Sequence, residues 1–323
     1  MTENPKVSIL TPTYNQARYL GTCIQSVRNQ SCQRWEQLVV DDGSTDSTKD
    51  VVEAFEDTRI KYTRLPHRGV EGLGEAYNLG LENASAEIIA ILEGDDFWPP
   101  GKLDSQLPLF DNRRTVFSWG EGVLVSEIGT RMRPTLGLHK ANRVLSLSKN
   151  DILPRLLWRN FLVPSSGVVV RREALKRIGG FHQPRGVPFV DAPTWLRLAA
   201  SMGEDEQFVY SHAPVVYWRI HPEQISSDYE RMIASRAMLV QEFFDLGPHN
   251  ADLIRQIGTV DVRKALAYHW GRYFMAKSAW NQSLQSLRQC WKGECLPVKV
   301  QIVVATLSCL LRFDWFQVIP LDL

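Results

Sequence analysis

Charge of one sign is missing from this sequence: 37 Lys and Arg face 36 Asp and Glu, for a net charge of +1. A broadly basic surface is thereby excluded, and with it nucleic acid as a partner. Cysteine is scarce and odd in number, five in 323 residues, without the spacing of a disulfide framework. Cys290 and Cys295 lie close together, but no second pair or nearby histidine completes a zinc site. The cysteines read as free thiols of a reducing compartment. No uncharged apolar run reaches the roughly 18 residues of a membrane-spanning helix. The nearest, Val300 to Leu311, is flanked by Lys299 and Arg312. It reads as a buried or docked helix, with peripheral membrane contact as the second reading. The N-terminal MTENPKVSILTPTYN lacks the basic, apolar and small-residue sections of a secretory signal, so a cytoplasmic location, at most peripheral at the membrane face, is expected. A glycine-rich phosphate loop is also absent, since GVEGLG, Gly69 to Gly74, is neither a dinucleotide fingerprint nor a Walker sequence.

What is there is alternation. KVSILTPT, WEQLVVDDGS, RIKYTRL and EIIAILEG read as strands; NQARYLGTCIQSVRNQ, TDSTKDVVEAFED and EGLGEAYNLGLENA read as the helices between them. In the first helix Ala17, Leu20, Ile24 and Val27 fall at helical spacing, and the second has Thr, Asp or Ser available as its cap. Such alternation implies a parallel sheet with right-handed crossovers. Ligands of these sheets bind beyond the carboxyl ends of the strands. TPTYN, DDGS and EGDD all lie at those ends and are expected to converge. From Thr115 to Arg219 the pattern loosens. TVFSWGEGVLVSE reads as a hairpin, SSGVVVRREALKRIGGF as a strand and a helix stopped by Gly179 and Gly180, DAPTWLRLAASMG as a helix, and EQFVYSHAPVVYWRIH as a strand region with a proline break. After about Pro222 the chain turns helical and ends in a helical hairpin with small residues at its close contacts.

The stretch ILEGDDFWPPGKLDSQ places Glu93, Asp95 and Asp96 directly after an apolar run. Like charges this close repel, and their burial is costly unless a cation faces them. A solvated turn and a cation site are the two readings. A hard divalent cation, Mg²⁺ or Mn²⁺, prefers oxygen ligands and keeps positions open for substrate phosphates. The Asp-Gly-Ser of VVDDGST is ordinary turn chemistry. A carboxylate at that strand end can equally accept hydrogen bonds from a ribose or a base N–H.

VSILTPTYNQARYLGTCIQSVRNQSCQRWEQLVVDDGSTDST resembles the N-terminus of family 2 glycosyltransferases, inverting enzymes of the GT-A fold, and the resemblance continues through AYNLGLENASAEIIAILEGDDFWPPGKLDSQ. It implies an α/β, Rossmann-like, mostly parallel sheet flanked by helices, with a C-terminal helical extension. Residues 1–114 would be the nucleotide-sugar half of the domain, 115–226 the acceptor half, and 227–323 the helical region. By the same resemblance Pro12 and Tyr14 flank the base, Asp41 binds base or ribose, Asp42 supports that turn, and Asn78 matches an asparagine of the third helix. Tyr77 stands where arginine is usual. The Asp-x-Asp of the family aligns with Glu93-Gly94-Asp95, which makes Asp95 the principal metal ligand, Asp96 its assistant, and Glu93 a longer carboxylate reaching metal or ribose. In VPFVDAPTWLRLA, Asp191 matches the general base, and Val190 replaces a glutamate. Asp191 also reads as an N-cap of the helix that follows, with Pro193 just inside it. YWRIHPEQISS places His221 at the metal or diphosphate. Arg219 reads as a phosphate partner or a surface ion pair, and Trp195 and Trp218 as core. Ser165 and Ser166 border the acceptor pocket, while Arg171 and Arg172 read as solvated charges.

The function implied is metal-dependent transfer of a sugar from a nucleotide-diphosphate sugar to a hydroxyl of a glycan or lipid-linked acceptor, in surface or exported glycan assembly. Donor, acceptor and oligomeric state are not written in the residues. The alternative is a catalytically inactive nucleotide-sugar-binding relative, motivated by Glu93, Tyr77 and Val190. A nucleotidyltransferase would carry a glycine- and basic-rich loop that LTPTYNQARYL lacks.

Overall fold

β-Branched and apolar runs stopped by Asp, Gly or Asn set the strand limits of the N-terminal half. A computed structural model describes residues 4–135, 146–158, 160, 162, 164–245, 262–290 and 296–311. The expected alternation is present as β1 (Val7–Thr13), α1 (Ala17–Arg28), β2 (Trp35–Asp41), α2 (Thr48–Glu53), β3 (Ile60–Arg64), α3 (Leu73–Asn83) and β4 (Ile88–Ile91). There follow α4 (Lys102–Gln106), β5 (Thr115–Val125), β6 (Arg131–Pro134), β7 (Ser146–Leu147), α5 (Lys149–Trp158), β8 (Val169–Arg171), α6 (Arg172–Arg177), α7 (Asp191–Ser201) and β9 (Gln207–Arg219). The C-terminal helices are α8 (Tyr229–Asp245), α9 (Val262–Ala276), α10 (Trp280–Leu287) and α11 (Leu296–Leu311).

The strands form one sheet in the order β3-β2-β1-β4-β8-β5-β9-β7, with β6 on β5. β1 is parallel to β2 and β4, and β2 to β3. β8 runs antiparallel between β4 and β5, and β9 returns parallel to β5. Every residue of β1 and β2 is buried, as expected of central parallel strands covered on both faces. Leu20, Cys23, Ile24 and Val27 of α1 join Val7, Ile9, Trp35 and Val39 in the core. Each fully buried aliphatic side chain of this kind contributes about 1.5–3 kcal/mol. Asp46 satisfies two helix starts at once: it accepts the Ala17 N–H of α1 and the Thr48 N–H of α2, each at 3.0 Å.

One element differs from expectation. TVFSWGEGVLVSE is no hairpin in itself: Thr115–Val125 is one continuous strand, and the turn lies beyond it, before β6. Its glycines serve close approach rather than reversal. A Cβ on Gly120 would come 2.6 Å from Val215 Cγ1, and one on Gly122 would come 2.8 Å from Pro164 Cδ. The proline break in β9 is a register shift, with Pro214 opposite Glu121.

Two compact units emerge. The first comprises Met1–Ile152, Leu162–Gln183 and Phe189–Gln224 and carries the sheet; the second comprises Leu153–Phe161, Pro184–Pro188 and Ile225–Leu323. In the second, Gly271 of α9 meets Leu287 of α10, where a Cβ would fall 2.7 Å from Leu287 Cγ. This is the small-residue contact of the helical hairpin. α11 buries Ile302, Ala305 and Cys309 and leaves Val303, Leu307, Leu310 and Leu311 exposed. No helix among the described residues is long and apolar enough to cross a membrane. Among the described residues Cys23, Cys32, Cys290 and Cys309 are not disulfide-bonded to one another; Cys295 lies outside them.

Candidate active site at the strand ends

The parallel register carries TPTYN, DDGS and EGDD to one edge of the sheet. The Asp42 N–H donates to Thr13 O at 2.9 Å and the Gly94 N–H to Pro12 O at 3.1 Å, so the three segments converge as expected. Pro12 is buried and acts here through its carbonyl. Asp41 is buried; its Oδ1 accepts the Ser44 N–H at 2.9 Å and its Oδ2 the Tyr62 hydroxyl at 2.5 Å. Asp42 accepts the Arg68 N–H at 3.2 Å and the His67 Nδ1–H at 2.8 Å. His67 in turn lies flat against the exposed ring of Tyr14, centroids 4.0 Å apart and planes 9° from parallel. Composition gave no reason to single out His67 or Tyr62. His67 follows the end of β3, and the rule that ligands gather at strand ends could have found it.

The carboxylate turn is tightly built. Gly94 is in close quarters: a Cβ would lie 2.5 Å from Gln16 Oε1 and 2.7 Å from Thr13 Oγ1, so those side chains would have to shift. Glu93 takes a hydrogen bond from the Tyr77 hydroxyl to Oε1 at 2.6 Å, and its N–H donates to Ser166 Oγ at 3.1 Å. Burial first, then the Asp95 charge, push the Glu93 carboxyl up to about 8 against the Tyr77 hydrogen bond; Asp191 adds in the same direction. Asp96 is buried and accepts the Arg219 N–H on Oδ1 at 2.9 Å, while its Oδ2 has no close hydrogen-bond partner among the described residues. Burial, with Asp95 and Glu93 beside it, holds its carboxyl well above the usual range. Asp95 Oδ2 faces His221 Nε2 at 3.1 Å, and the buried His221 Nδ1 has no hydrogen-bond partner among the described residues.

Several residues take other parts than expected. Asn78 donates from Nδ2 to Phe181 O at 2.9 Å and accepts the Phe181 N–H at 2.7 Å, so its amide is engaged by the chain rather than open to a nucleotide. Arg219 is neither a surface charge nor open to a phosphate: it is buried, and its guanidinium donates to the carbonyls of Asp95, at 2.8 Å, and of Glu127. Ser166 is buried behind the carboxylate turn, where its carbonyl accepts the Trp98 indole N–H at 2.7 Å. Arg171 is half-buried rather than a free surface charge; it donates to the carbonyls of Thr115 and Phe110. Trp195 is core, and Trp218 is half-buried. Asp191 is half-buried and is the first residue of α7, which moves the cap position one residue earlier, to Val190.

The donor set suits a divalent cation. One carboxylate oxygen from each of Glu93, Asp95 and Asp96 lies within 4.8 Å of the others. Oxygen ligands with one imidazole at the edge match a hard to borderline ion such as Mg²⁺ or Mn²⁺. Asp96 Oδ2, buried and without a hydrogen-bond partner among the described residues, leaves one oxygen of this set available to an ion.

The Glycosyl transferase family 2 profile matches residues 8–179, which include the TPTYN, DDGS and EGDD segments but neither Asp191 nor His221. TuaG of Bacillus subtilis, named for teichuronic acid biosynthesis, is 32% identical over 196 residues, covering 60% of this chain and 72% of its own. WfgD of Escherichia coli, a UDP-Glc:alpha-D-GlcNAc-diphosphoundecaprenol beta-1,3-glucosyltransferase, is 32% identical over 170 residues, covering 52% of this chain and 66% of its own. Among solved structures, residues 1–349 of S. aureus TarS in complex with UDP-GlcNAc superpose with a TM-score of 0.64 at 16% identity, covering 96% of this chain and 89% of that one. The chain belongs to glycosyl transferase family 2 and is built on the GT-A fold.

Proposed function

We propose that this glycosyltransferase is inverting and dependent on a divalent cation, and that it extends a surface or exported glycan. The observation that carries the reading is the cluster of Glu93, Asp95 and Asp96 oxygens within 4.8 Å of one another, with Asp191 at the start of α7 near enough for its charge to raise the Glu93 carboxyl. Tyr14 offers an exposed ring for a nucleobase to stack on, with Asp41 and Asp42 at the adjoining strand end for base or ribose. Glu93, Asp95 and Asp96, with His221 beside Asp95, would hold the cation. Bound there, a divalent ion supplies stabilisation of the negative charge that develops on a departing diphosphate.

The chemistry at the other side is proton removal. A sugar hydroxyl is a weak nucleophile, and a carboxylate that accepts its proton during attack contributes typically about 10²–10⁴-fold. Asp191 takes that proton as the acceptor oxygen bonds to the anomeric carbon and the bond to the diphosphate breaks on the opposite face. One displacement inverts the anomeric centre without an enzyme nucleophile. UDP-sugars are the first donors to test, since WfgD uses UDP-Glc by name and the TarS structure holds UDP-GlcNAc. A lipid-linked glycan, as in the name of WfgD, is the acceptor class.

Screening nucleotide sugars for Mn²⁺-stimulated release of nucleotide is the direct test. Asp191→Asn is expected to lower transfer by at least about 10²-fold while nucleotide binding stays near that of the parent. Near-normal transfer by Asp191→Asn would remove the base assignment. Absence of nucleotide release with every donor and metal would favour the inactive binding protein instead.

A further inference from the structure

The hydroxyl of Tyr77 is buried, bonded to Glu93, and unexplained by transfer chemistry. Its ring is 1% exposed and packs against Phe181 with centroids 4.7 Å apart. The next residue, Asn78, clamps the Phe181 backbone through both ends of its amide. The phenol therefore has no freedom to follow a retreating partner. From that fixed point it donates to Glu93 Oε1 at 2.6 Å, leaving Oε2 as the uncommitted oxygen of a carboxylate that stands within 4.8 Å of Asp95 and Asp96 oxygens. Position 93 needs the longer acid for this. An aspartate would draw the carboxylate back by about one C–C bond, roughly 1.5 Å, and out of hydrogen-bond range of a phenol that cannot advance. A phenol also brings no positive charge of its own, so it does not compete with a cation for the three carboxylates.

We propose that Tyr77 and Glu93 form a matched pair: the buried phenol is a positioning residue that fixes Glu93 as a ligand of the divalent cation. The proposal rests on the cation-dependent reading above. It assigns the two departures from the family pattern one joint role, in which each residue makes the other workable. Orienting partners of this kind typically change metal affinity by about 10–100-fold when removed.

The test is a titration of the full-length protein with Mn²⁺ alone, followed by the paramagnetic resonance of free Mn²⁺, with no donor present. Tyr77→Phe keeps the ring and its packing and deletes one oxygen. It is expected to weaken Mn²⁺ binding about 10–100-fold, with a melting temperature close to that of the parent. Glu93→Asp is expected to weaken binding at least as much, and Tyr77→Phe added to Glu93→Asp to cost nothing further, because the contact it deletes is already gone. Tyr77→Phe binding Mn²⁺ as tightly as the parent, or losses that add in the double variant, would overturn the pair while the cation site stands. A parent protein that binds no Mn²⁺ would overturn the cation reading itself, and the pair with it.

Discussion

Glu36 shows how much a single buried charge can hold when hydrogen bonds reach both its oxygens. It lies at the start of β2, at the end of the sheet away from the carboxylate turn. There it accepts from Ser8 Oγ at 2.6 Å, Lys61 Nζ at 2.6 Å and the Ser85 N–H at 2.7 Å. Burial alone would raise its carboxyl, but these hydrogen bonds overcome it and hold it down to about 2. A folded value below the unfolded one means that the stabilisation is present above about pH 4.5 and disappears as pH falls toward about 2. The interval corresponds to about 3 kcal/mol at neutral pH. Glu36→Gln is therefore expected to lower unfolding free energy by about 2–3 kcal/mol at pH 7 and by much less at pH 2.5, checked by denaturant titration at both. An equal loss at both pH values would mean that shape rather than charge is what matters there. At the site the same rule runs the other way: Glu93 is buried, with the Asp95 and Asp191 charges near it and one hydrogen bond from Tyr77, and is driven up to about 8. The contrast between the two glutamates is one of partners, not of residue type.

Elements are joined in this chain by side chains that replace missing backbone partners. Asp46 serves the starts of α1 and α2, and Thr194 of α7 accepts the His182 N–H at 2.9 Å, tying the strap before Asp191 to the helix that carries it. Gln183 extends the strap to the third helix, accepting the Gly74 N–H at 2.7 Å and donating to Val70 O at 2.6 Å. In the helical hairpin, contact between α9 and α10 depends on a missing side chain: Gly271 faces the buried Leu287, and Ser283 Oγ donates to Gly271 O at 2.7 Å. Gly271→Val is expected to cost about 1–3 kcal/mol through overpacking, read as a lower melting temperature. A neutral or stabilising effect would show that Leu287 swings aside, and that helix propensity outweighs the clash.

At the scale of the whole molecule, the two units answer acid differently. In the second unit the terminal carbonyls of α5 are capped from other helices: Arg236 donates to Leu156 O, and His269 Nε2 donates to Leu157 O at 3.0 Å. Burial, and then the Arg236 charge, hold His269 down to about 3, so it is neutral in the fold. Unfolding lets it take up a proton below its ordinary value of 6.5. Stability of this unit is therefore full above about pH 6.5 and declines by about 1.4 kcal/mol per pH unit below it, until the folded value is passed. In the sheet-bearing unit the Glu36 contribution is kept until well below that. Hydrogen exchange at pH 7 and pH 5 is expected to show protection of α8 and α9 falling while β1 and β2 stay protected. Equal loss in both units would argue against His269 as the cause.

By itself the sequence determined the layered α/β alternation and the strand ends that carry Tyr14, Asp41, Asp42 and Asp95, because apolar periodicity and turn residues act over a few neighbouring positions. The glycine stop of α6 and the small-residue contact of the helical hairpin were legible for the same reason. The continuity of β5 was not, since Gly120 and Gly122 look like turn residues until Val215 and Pro164 arrive against them. Only the tertiary structure decided who partners whom. Arg219 turned from phosphate to the carbonyls of Asp95 and Glu127, Asn78 to Phe181, Ser166 to Glu93, and Tyr77 to Glu93. Polar side chains that are buried must find partners wherever the fold brings them, and those partners come from positions remote in the chain.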